Sequence, residues 1–517
     1  MGGYALPGME MLLDAVVPYS TGTWAILLWT LLAVALSRWR PAGERLRWVV
    51  AATAGALAVR YLLWRAVHTL NWQSPAGVAV SLLLFGAELY ALCLLAQFLF
   101  QVAWPVARGP APLPDDPPSV DVFVPIYNEP VDILYRTLVA CRAMDYPRFT
   151  VWVLDDGRRD EVRHVAEELG CGYLRRQDNR FAKAGNLNHA LACTSGELVA
   201  VLDTDHAPVV SFLRETVGLL LRDPRAAFVQ TPHFFYNPDP FQRNLLAEQE
   251  ISSEQDMFYR VVLPGRDRWN AAFFCGSGAV FRRRALEEIG GFQTGTITED
   301  IHTSIMLHAR GWRSLVRDRI LAAGLAPEDL RSFLKQRIRW ATGTIQMTRL
   351  ANPLTLPGLS LPQRLCYFSS VYYFFFPFAR IVFIYAPLVY LLLGIKPVQA
   401  RLADLVAYYM PQLLLTGVVL RIQGGFSSGV YGGFSNNYGW EGLLAALVAR
   451  SRPLYAIPVA LFFGALRAGG GVLSSTGVSP TIVGVVEALI VLAVGIPAVL
   501  VQVRERRAQA GLMQHQT

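Results

Sequence analysis

The chain has 517 residues, more than one ordinary domain holds, and its formal net charge is +8. Hydrophobic residues make up 53% of it and charged residues 17%, a balance that favours a membrane protein over a wholly soluble one. Basic residues cluster at the ends of apolar runs and no DNA-binding motif occurs, so the charge indicates a membrane face and no nucleic acid. The six cysteines contain no Cys-x-x-Cys pair, which argues against a disulfide framework or a zinc site.

Three apolar stretches open the chain, namely Thr23–Ser37, Trp48–Trp64 and Val78–Trp104. The third is long enough to cross the ~30 Å hydrocarbon core of a bilayer. Arginines are concentrated in 38–47, after the first stretch, which is the charge order of a first span followed by a cytoplasmic loop. We therefore predict an N-terminal transmembrane region over residues 1–110, with the polar middle of the chain in the cytoplasm.

Four more apolar stretches follow the polar middle, at Val371–Leu393, Leu405–Leu420, Leu454–Leu466 and Thr481–Val501. They predict a C-terminal transmembrane region over residues 351–517, ending in a short basic cytoplasmic tail. The whole chain is expected to cross the inner (plasma) membrane six to eight times. Charges inside these stretches are costly, and Arg60 with Glu88 is predicted either to lock two helices together or to border a sugar path.

Residues 111–350 have the pattern of an α/β domain. Strands are predicted at Val120–Ile126, Phe149–Leu154, Leu198–Leu202 and Ala227–Thr231, with a helix at Val131–Arg142 between the first two. This alternation predicts a mainly parallel, Rossmann-like sheet. The fold class is therefore a multi-pass α-helical membrane protein with an inserted cytosolic α/β domain.

Acidic pairs follow two of these strands, where ligands bind in such sheets. Asp155 and Asp156 end the second strand, and Asp203 and Asp205 follow the third with His206 beside them. Carboxylates spaced i, i+2 suit a hard cation such as Mg²⁺ or Mn²⁺ that bridges phosphate oxygens. A solvated loop is the alternative for either pair alone, but two pairs at two strand ends favour a site.

Three further positions carry candidate chemistry. Lys183, one of three lysines in the chain, opens a predicted helix, where it either binds a phosphate or is a surface lysine beside a helix cap. Asp300, in Thr298-Glu299-Asp300, is either a general base or a helix cap. On a predicted helix from Pro327 to Thr348, the side chains of Gln336, Arg339 and Trp340 share one face, which suits a diphosphate beside a sugar ring or a membrane surface.

Taken in order, these residues resemble the motifs of the processive family-2 glycosyltransferases, and of bacterial cellulose synthase catalytic subunits in particular. The motifs are Tyr127-Asn128-Glu129, Asp155-Asp156-Gly157, Lys183-Ala184-Gly185-Asn186, Asp203-x-Asp205, Thr298-Glu299-Asp300 and Gln336-x-x-Arg339-Trp340. Two connecting segments, Gln230 to Phe235 and Phe273 to Ser277, also resemble this family. Each motif alone is weak, whereas the ordered set over 120–350 is specific.

The resemblance implies a GT-A fold and inverting transfer from a UDP-sugar, UDP-glucose being favoured, to a growing polysaccharide. The implied catalytic residues are Asp156, Asp203, Asp205 and Asp300, the last as general base. The implied metal ligands for Mg²⁺ or Mn²⁺ are Asp203, Asp205 and His206. The implied substrate-binding residues are Tyr127, Glu129, Asp155, Lys183, His233, Phe274, Cys275, Gly276, Thr298, Glu299, Gln336, Arg339 and Trp340. A lipid bilayer and a periplasmic companion subunit are the further partners that the resemblance implies.

Two departures from the family are visible in the sequence. A gating loop with a Phe-x-Val-Thr pattern is absent, and the corresponding region is Arg467–Ser475, which leaves open the gating step and with it the identity of the polymer. Only a short basic tail follows the last predicted span, so we predict no PilZ-type regulatory barrel in this chain.

The predicted product is a cellulose-like β-glucan. Curdlan-like, mixed-linkage, hyaluronan-like and poly-N-acetylglucosamine products remain alternatives, as does a non-processive transferase acting on a lipid carrier. An inactive membrane scaffold or transporter is the alternative from another class, and the complete set of acidic residues argues against it.

Overall fold

The computed structural model describes residue 29 and residues 44–424, apart from 103, 241, 243–252 and 254. Several predictions fall outside the described residues: the stretch Thr23–Ser37 apart from position 29, the stretches Leu454–Leu466 and Thr481–Val501, the segment Arg467–Ser475 and the basic tail. The described chain comprises a central α/β domain and helices on either side of it in sequence.

A seven-stranded sheet forms the centre of the α/β domain, in the order β3-β2-β1-β4-β8-β6-β9. Its strands are β1 (Val120–Ile126), β2 (Phe149–Asp155), β3 (Gly172–Leu174), β4 (Leu198–Val201), β6 (Ala226–Gln230), β8 (Ala279–Arg282) and β9 (Arg313–Val316). Only β8 is antiparallel to its neighbours β4 and β6. A second sheet has the order β5-β10-β7 and contains β5 (Ala207–Pro208), β7 (Phe234–Phe235) and β10 (Ala322–Gly324).

Within the described residues, two helices precede the α/β domain, α1 (Glu44–His68) and α2 (Pro75–Val102), and the helices of the domain are numbered after them. They are α3 (Val131–Arg142), α4 (Asp160–Glu168), α5 (Ala182–Cys193), α6 (Phe212–Arg222), a π-helical turn at Phe258–Val262 that runs into α7 (Leu263–Arg268), α8 (Arg283–Glu288), α9 (Glu299–Ala309) and α10 (Leu330–Leu350). Three helices follow in the described chain: α11 (Leu361–Tyr373), α12 (Phe376–Leu393) and α13 (Leu402–Gly424).

Apolar side chains cover both faces of the main sheet, as expected for buried, mainly parallel strands. One face packs against α3, α4 and α6 through residues such as Leu138, Val162 and Phe212, all fully buried. The other face packs against α5, α8 and α9 through Leu187 and Leu307 among others. The alternating strand and helix pattern in the sequence therefore produces a three-layer domain, and the predicted α/β fold is confirmed.

Strand register sets where the acidic pairs lie. β1 runs parallel to both β2 and β4, with Ile126 opposite Asp155 and Phe123 opposite Val201. The carboxyl ends of these strands therefore meet at one edge of the sheet, and the chain leaves each strand there through Tyr127, Asp156 and Asp203. The motifs predicted to form one site are brought to the same edge by this register.

Among the described helices, α2 alone is long and apolar enough to cross a membrane by itself. A second candidate is the pair formed by α11 and α12, which meet at a bend of 48°. The predicted stretch Val371–Leu393 is thus divided between two helices.

The charges inside these helices pair differently from the prediction. Glu88 on α2 accepts a hydrogen bond from Nε of Arg65 on α1 at 2.8 Å, not from Arg60. The guanidinium of Arg60 lies 3.8 Å from the ring centre of Tyr408 on α13. Residues 60 and 65 face different neighbours because they are about 140° apart around the helix axis.

The α/β domain is joined to these helices by buried polar contacts. Arg266 on α7 is 3% exposed and donates to Gln101 on α2, to Ser370 and to the carbonyl of Cys366 on α11, at 2.6, 2.8 and 2.9 Å. Gln101 also donates to Ser369 at 2.8 Å. These contacts fix the end of α2 and the middle of α11 against the domain.

Candidate active site

The loop after β1 presents an aromatic ring to solvent. Tyr127 is 52% exposed, and its backbone N–H donates to the carboxylate of Glu129 at 2.7 Å. This bond folds the Tyr127-Asn128-Glu129 loop over the sheet edge. A side chain at Gly157 would lie 2.3 Å from the Tyr127 carbonyl oxygen, so glycine is required where the loops after β1 and β2 meet.

Asp155 points inward from this edge. It is fully buried, and its carboxylate accepts from the backbone N–H groups of Gly157, Arg158 and Arg159 at 2.8, 3.0 and 2.7 Å. It also accepts from the hydroxyl of Tyr173 at 2.9 Å. With four donors bound, this carboxylate organises the loop, and its predicted contact with substrate stays a prediction.

Asp156 faces a guanidinium. Its two oxygens accept from Nε and Nη2 of Arg176 at 2.5 and 2.7 Å, and the two side chains are 7% and 8% exposed. A bidentate pair of this kind is strong and geometrically specific. Both carboxylate oxygens of Asp156 are thus held by Arg176, and its predicted catalytic role stays a prediction.

The Asp203-x-Asp205 motif leaves β4 as predicted. Asp203, Asp205 and His206 each offer one ligand atom, and these atoms lie within 4.8 Å of one another. Nδ1 of His206 is 3.2 Å from Asp205, while its buried Nε2 lacks a hydrogen-bond partner among the described residues. Two partly exposed carboxylates next to an imidazole fit a hard divalent cation with open positions for phosphate oxygens.

Lys183 connects this motif to two other segments. Its ammonium group donates to the carboxylate of Asp203 and to the carbonyl oxygen of Gly276 at 2.7 Å, and it lies 3.9 Å from Glu299. Burial lowers the pKa of Lys183, but the charges of Asp203 and Glu299 outweigh it and leave that pKa above its usual value. The lysine is therefore a fixed cation at the centre of the site.

Asp300 borders the same space as Lys183. A methyl group placed on Gly276, whose φ is +88°, would lie 3.6 Å from Oδ2 of Asp300 and 3.7 Å from Nζ of Lys183. Burial, and then the charge of Glu299, raise the pKa of Asp300 to about 7, against the opposing effects of the Ile301 N–H, Lys183 and Arg339. A carboxylate with a pKa near neutrality is suited to accept a proton from a hydroxyl.

The segment before Gly276 differs from the prediction at one residue. Phe274 was expected to bind substrate, but its ring is fully buried beneath the sheet against Phe281, with the ring centres 4.9 Å apart. Cys275 follows it, half-buried, and burial holds the pKa of its thiol well above the usual range. The thiol therefore stays neutral, and the next residue, Gly276, borders Asp300 and Lys183.

His233 is buried as well, at 8% exposure. One ring nitrogen lies 2.9 Å from the carbonyl oxygen of Ser277 and the other 3.0 Å from the hydroxyl of Tyr259. Burial lowers the pKa of His233 to about 3, so the imidazole is neutral and links two protein groups. The hydroxyl of Ser277 in turn accepts from the backbone N–H of Asp203 at 2.9 Å, which fixes the start of the Asp203-x-Asp205 motif.

Helix α10 closes the site from the other side. Asp329 caps its start by accepting from Ser332 at 2.9 Å. Gln336 and Trp340 are half-buried and Arg339 is exposed, on the face predicted from their spacing. The guanidinium of Arg337, which the sequence analysis did not single out, lies 4.4 Å from the ring centre of Trp340 and 4.5 Å from that of Phe333.

Three residues that are important to the site were not predicted from the sequence: Arg176, Arg337 and Gly343. Arg337 is four residues after Phe333 and three before Trp340, so helical spacing alone places it between them. Arg176 carries no such signal, because arginine is common throughout this chain. Gly343 packs against Thr298, a contact that no local pattern reveals.

Comparison with known families gives two matches that contain the residues of this site. The profile of Glycosyl transferase family 2 matches residues 121–290, and the profile named Cellulose synthase matches residues 287–431. The first match contains the motifs at 127, 155, 183 and 203, and the second contains Asp300 and α10. The chain therefore carries a glycosyl transferase family 2 domain followed by a cellulose synthase family domain. The GT-A fold expected for this family agrees with the observed α/β domain.

Named relatives match about seven tenths of this chain. Cellulose synthase 2 of Novacetimonas hansenii is 46% identical over 374 residues, which is 71% of this chain and 23% of that protein. The cellulose synthase catalytic subunit [UDP-forming] of Pseudomonas fluorescens is 44% identical over 71% of this chain and 51% of its own length. The chain thus spans between about a quarter and about half of these relatives.

Among solved structures, a mannosyltransferase of Pyrobaculum calidifontis, determined with GDP-mannose and Mn²⁺, is a distant match. It is 22% identical, with a TM-score of 0.48, over 66% of this chain and 98% of that protein.

Proposed function

We propose that this protein is a processive, inverting glycosyltransferase that moves glucosyl units from UDP-glucose to the terminal sugar of a growing β-glucan and releases UDP. The observation that carries the proposal is the space beside Gly276. A cation that holds the Asp203 motif and a carboxylate with a pKa near 7 both border that space. A donor diphosphate and an acceptor hydroxyl need such groups at adjacent positions.

In the proposed reaction, an acceptor hydroxyl oxygen attacks the anomeric carbon of the donor sugar as the bond from that carbon to UDP breaks. The bonding electron pair leaves with UDP, and the hydroxyl proton passes to Asp300. Attack from the side opposite UDP inverts the anomeric centre. Lys183 and Arg339 are the cations available to stabilise the negative charge that grows on the diphosphate.

A divalent cation, Mg²⁺ or Mn²⁺, is proposed at Asp203 and Asp205, with His206 as the third candidate ligand. When bound, it would neutralise the diphosphate as a Lewis acid. Its fit rests on the clustered ligand atoms and on the carboxylate chemistry of the site. Asp203 has a second role in the chain, because it also accepts from Lys183.

We further propose that the chain is a multi-pass protein of the plasma membrane, with its α/β domain in the cytoplasm, and that the polymer leaves through its own transmembrane region. Helix α2 and the bent pair of α11 and α12 support this. So do large apolar side chains exposed on α12, such as Phe378 and Leu392, at 67% and 79%. A lipid bilayer is the environment that covers such a surface. A periplasmic companion subunit is proposed from the family resemblance.

The test is UDP release by the purified chain in nanodiscs, offered UDP-glucose, UDP-N-acetylglucosamine or GDP-mannose with Mg²⁺ or Mn²⁺. Any polymer is then digested with linkage-specific glycanases. UDP release from UDP-glucose, with a product cut by a (1→4)-β-glucanase alone, is the expected result. Turnover of another donor, or a product that resists that glucanase, would mean that the protein makes a related polysaccharide and not this β-glucan. Asp300→Asn should abolish turnover while UDP still binds, and full activity in that variant would refute the assigned base.

A further inference from the structure

The backbone immediately before Lys183 is in an unusual conformation. Phe181 and Ala182 have φ of 62° and 44°, in the left-handed region that residues with a Cβ rarely adopt. Such backbone persists only where its surroundings enforce it, and it clusters at functional sites. The turn opens α5, so its conformation determines where the lysine side chain emerges.

Arg176 is the group that holds this turn. Besides its bidentate bond to Asp156, its guanidinium donates to the carbonyl oxygens of Arg180 at 2.7 Å and of Ala182 at 2.9 Å. Asn179 adds a bond from its amide to the backbone carbonyl of Asp156 at 2.9 Å. The end of β2 and the start of α5 are therefore joined through one buried side chain.

The side chain of Arg176 is tightly packed. A Cβ on Gly185 would lie 2.1 Å from the Arg180 carbonyl oxygen and 2.5 Å from Nη1 of Arg176. The first turn of α5 thus rests directly on the Arg176 contacts. A shorter cation at position 176 retains the charge but cannot reach Asp156 and both carbonyl oxygens together, because one ammonium group lacks the fork geometry of a guanidinium.

We infer that Arg176 is a positioning residue for the transfer reaction: with Asp156 as its anchor, it fixes the turn at 180–182 and thereby sets the Lys183 ammonium between Asp203, Glu299 and the Gly276 carbonyl. The catalytic part of this inference depends on the proposed function. Arg176 itself contacts no reacting group, since it is enclosed by the loops after β2 and before α5. Its contribution reaches the site through Lys183.

The chain contains a matched control at the other end of the same helix. Arg283 binds Asp121 at 2.8 Å, and it donates to the carbonyl oxygens of Gly196 and Leu191. Arg283 and Asp121 are 10% and 9% exposed, close to the values for the Arg176 pair. This second arginine therefore has the same chemistry and burial, but it serves the C-terminal end of α5, remote from Lys183.

The experiment compares Arg176→Lys with Arg283→Lys in the full chain. Hydrogen exchange of the amides in 180–186 should accelerate in Arg176→Lys and stay at the wild-type rate in Arg283→Lys. This readout needs no turnover, so it tests the positioning role even if UDP-glucose is not the donor. If the wild type releases no UDP from any donor, the proposed function fails and the exchange result still decides the role of Arg176.

Turnover supplies the second readout. Arg176→Lys should raise KM for UDP-glucose and lower kcat, reducing kcat/KM by roughly tenfold to a hundredfold, as small misplacements of a catalytic group do. Arg283→Lys should change only the folded fraction and leave KM unchanged. Unchanged exchange in Arg176→Lys, or equal kinetic effects of the two variants, would overturn the inference. If Arg176→Lys does not fold, Asp156→Asn takes its place, with the same criteria for exchange and KM.

Discussion

Thr298 packs directly onto the α-carbon of Gly343, across the interface between the Thr298-Glu299-Asp300 loop and α10. A Cβ at Gly343 would lie 2.4 Å from Oγ1 of Thr298 and 2.5 Å from its methyl carbon. Thr298 is 7% exposed, so its side chain has little room to move away. The distance between the loop that carries Asp300 and the helix that carries Arg339 and Trp340 is thus set by the absence of one side chain.

Gly343→Ala should therefore separate α10 from the Asp300 loop. We expect kcat/KM for UDP-glucose to fall by roughly tenfold or more, because the groups proposed for acceptor and diphosphate move away from the base. Alanine favours helix over glycine by about 1 kcal/mol, so the helix itself is not weakened. Steady-state kinetics of UDP release measures the loss.

Gly55→Ala in α1 is the control for this substitution. Nothing lies within 4 Å of a Cβ at that position, so the same chemical change there meets open space. It should leave kinetics at the wild-type level. Equal kinetics for Gly343→Ala and the wild type would show that the interface between Thr298 and α10 adjusts to the added methyl group without loss of activity.

The α/β elements could be predicted because local pattern determines them. The helix predicted at Val131–Arg142 has those same bounds in the structure, since its apolar residues repeat with helical spacing and a proline precedes it. The strands before the acidic pairs likewise differ by a residue or less at each end. Because parallel strands share one edge, the grouping of Asp155, Asp203 and Tyr127 followed from the order of elements.

Side-chain direction within the site could not be predicted from the sequence. Asp155 and Asp156 are adjacent, yet one binds three backbone N–H groups and the other binds Arg176, a residue 20 positions away. Phe274 lies in the core although its neighbours Cys275 and Gly276 line the site. These outcomes depend on long-range partners, which sequence spacing does not encode. The predictions for residues beyond 424 stay predictions.

Replacing Lys183 with methionine should tighten metal binding while it abolishes turnover. The ammonium group now occupies one oxygen of Asp203, and a cation close to a metal site repels the metal. We expect Mn²⁺ affinity, followed by electron paramagnetic resonance of free Mn²⁺, to rise several-fold in Lys183→Met. Asp205→Asn is the opposing control and should weaken binding by about tenfold or more. Weaker Mn²⁺ binding in Lys183→Met would place the metal elsewhere.

Asp155→Asn should destabilise the loop after β2. The amide group retains one acceptor oxygen but turns an NH₂ towards backbone N–H donors, and leaving such buried groups unpaired costs about 1–3 kcal/mol. Tyr173→Phe removes one of the same hydrogen bonds and should cost about 1 kcal/mol. Thermal unfolding should therefore rank the wild type above Tyr173→Phe and Tyr173→Phe above Asp155→Asn. If Asp155→Asn lost UDP affinity at unchanged thermal stability, the carboxylate would contact the nucleotide directly.

The pKa of Asp300, raised to about 7, gives two pH dependences of known sign. A base must be ionised, so kcat/KM for UDP-glucose should rise with pH and level off above a pKa near 7. An ordinary exposed aspartate would place this limb near pH 4. Initial rates of UDP release across that range measure it, and a profile flat from about pH 5 to pH 8 would exclude Asp300 as the base.

Folding stability should respond in the opposite direction. Because the folded state holds the Asp300 proton more tightly than the unfolded state does, the protonated carboxyl favours folding at low pH. That contribution is complete below the unfolded pKa of about 4 and is lost as the pH rises through about 7. Asp300→Asn mimics the protonated acid, so its thermal midpoint should match the wild type near pH 4 and exceed it near pH 8. If the variant is inactive and more stable than the wild type at pH 8, the ionised carboxylate of Asp300 lowers folding stability but is needed for the reaction. If the two midpoints are equal at both pH values, the surroundings of Asp300 do not oppose its charge.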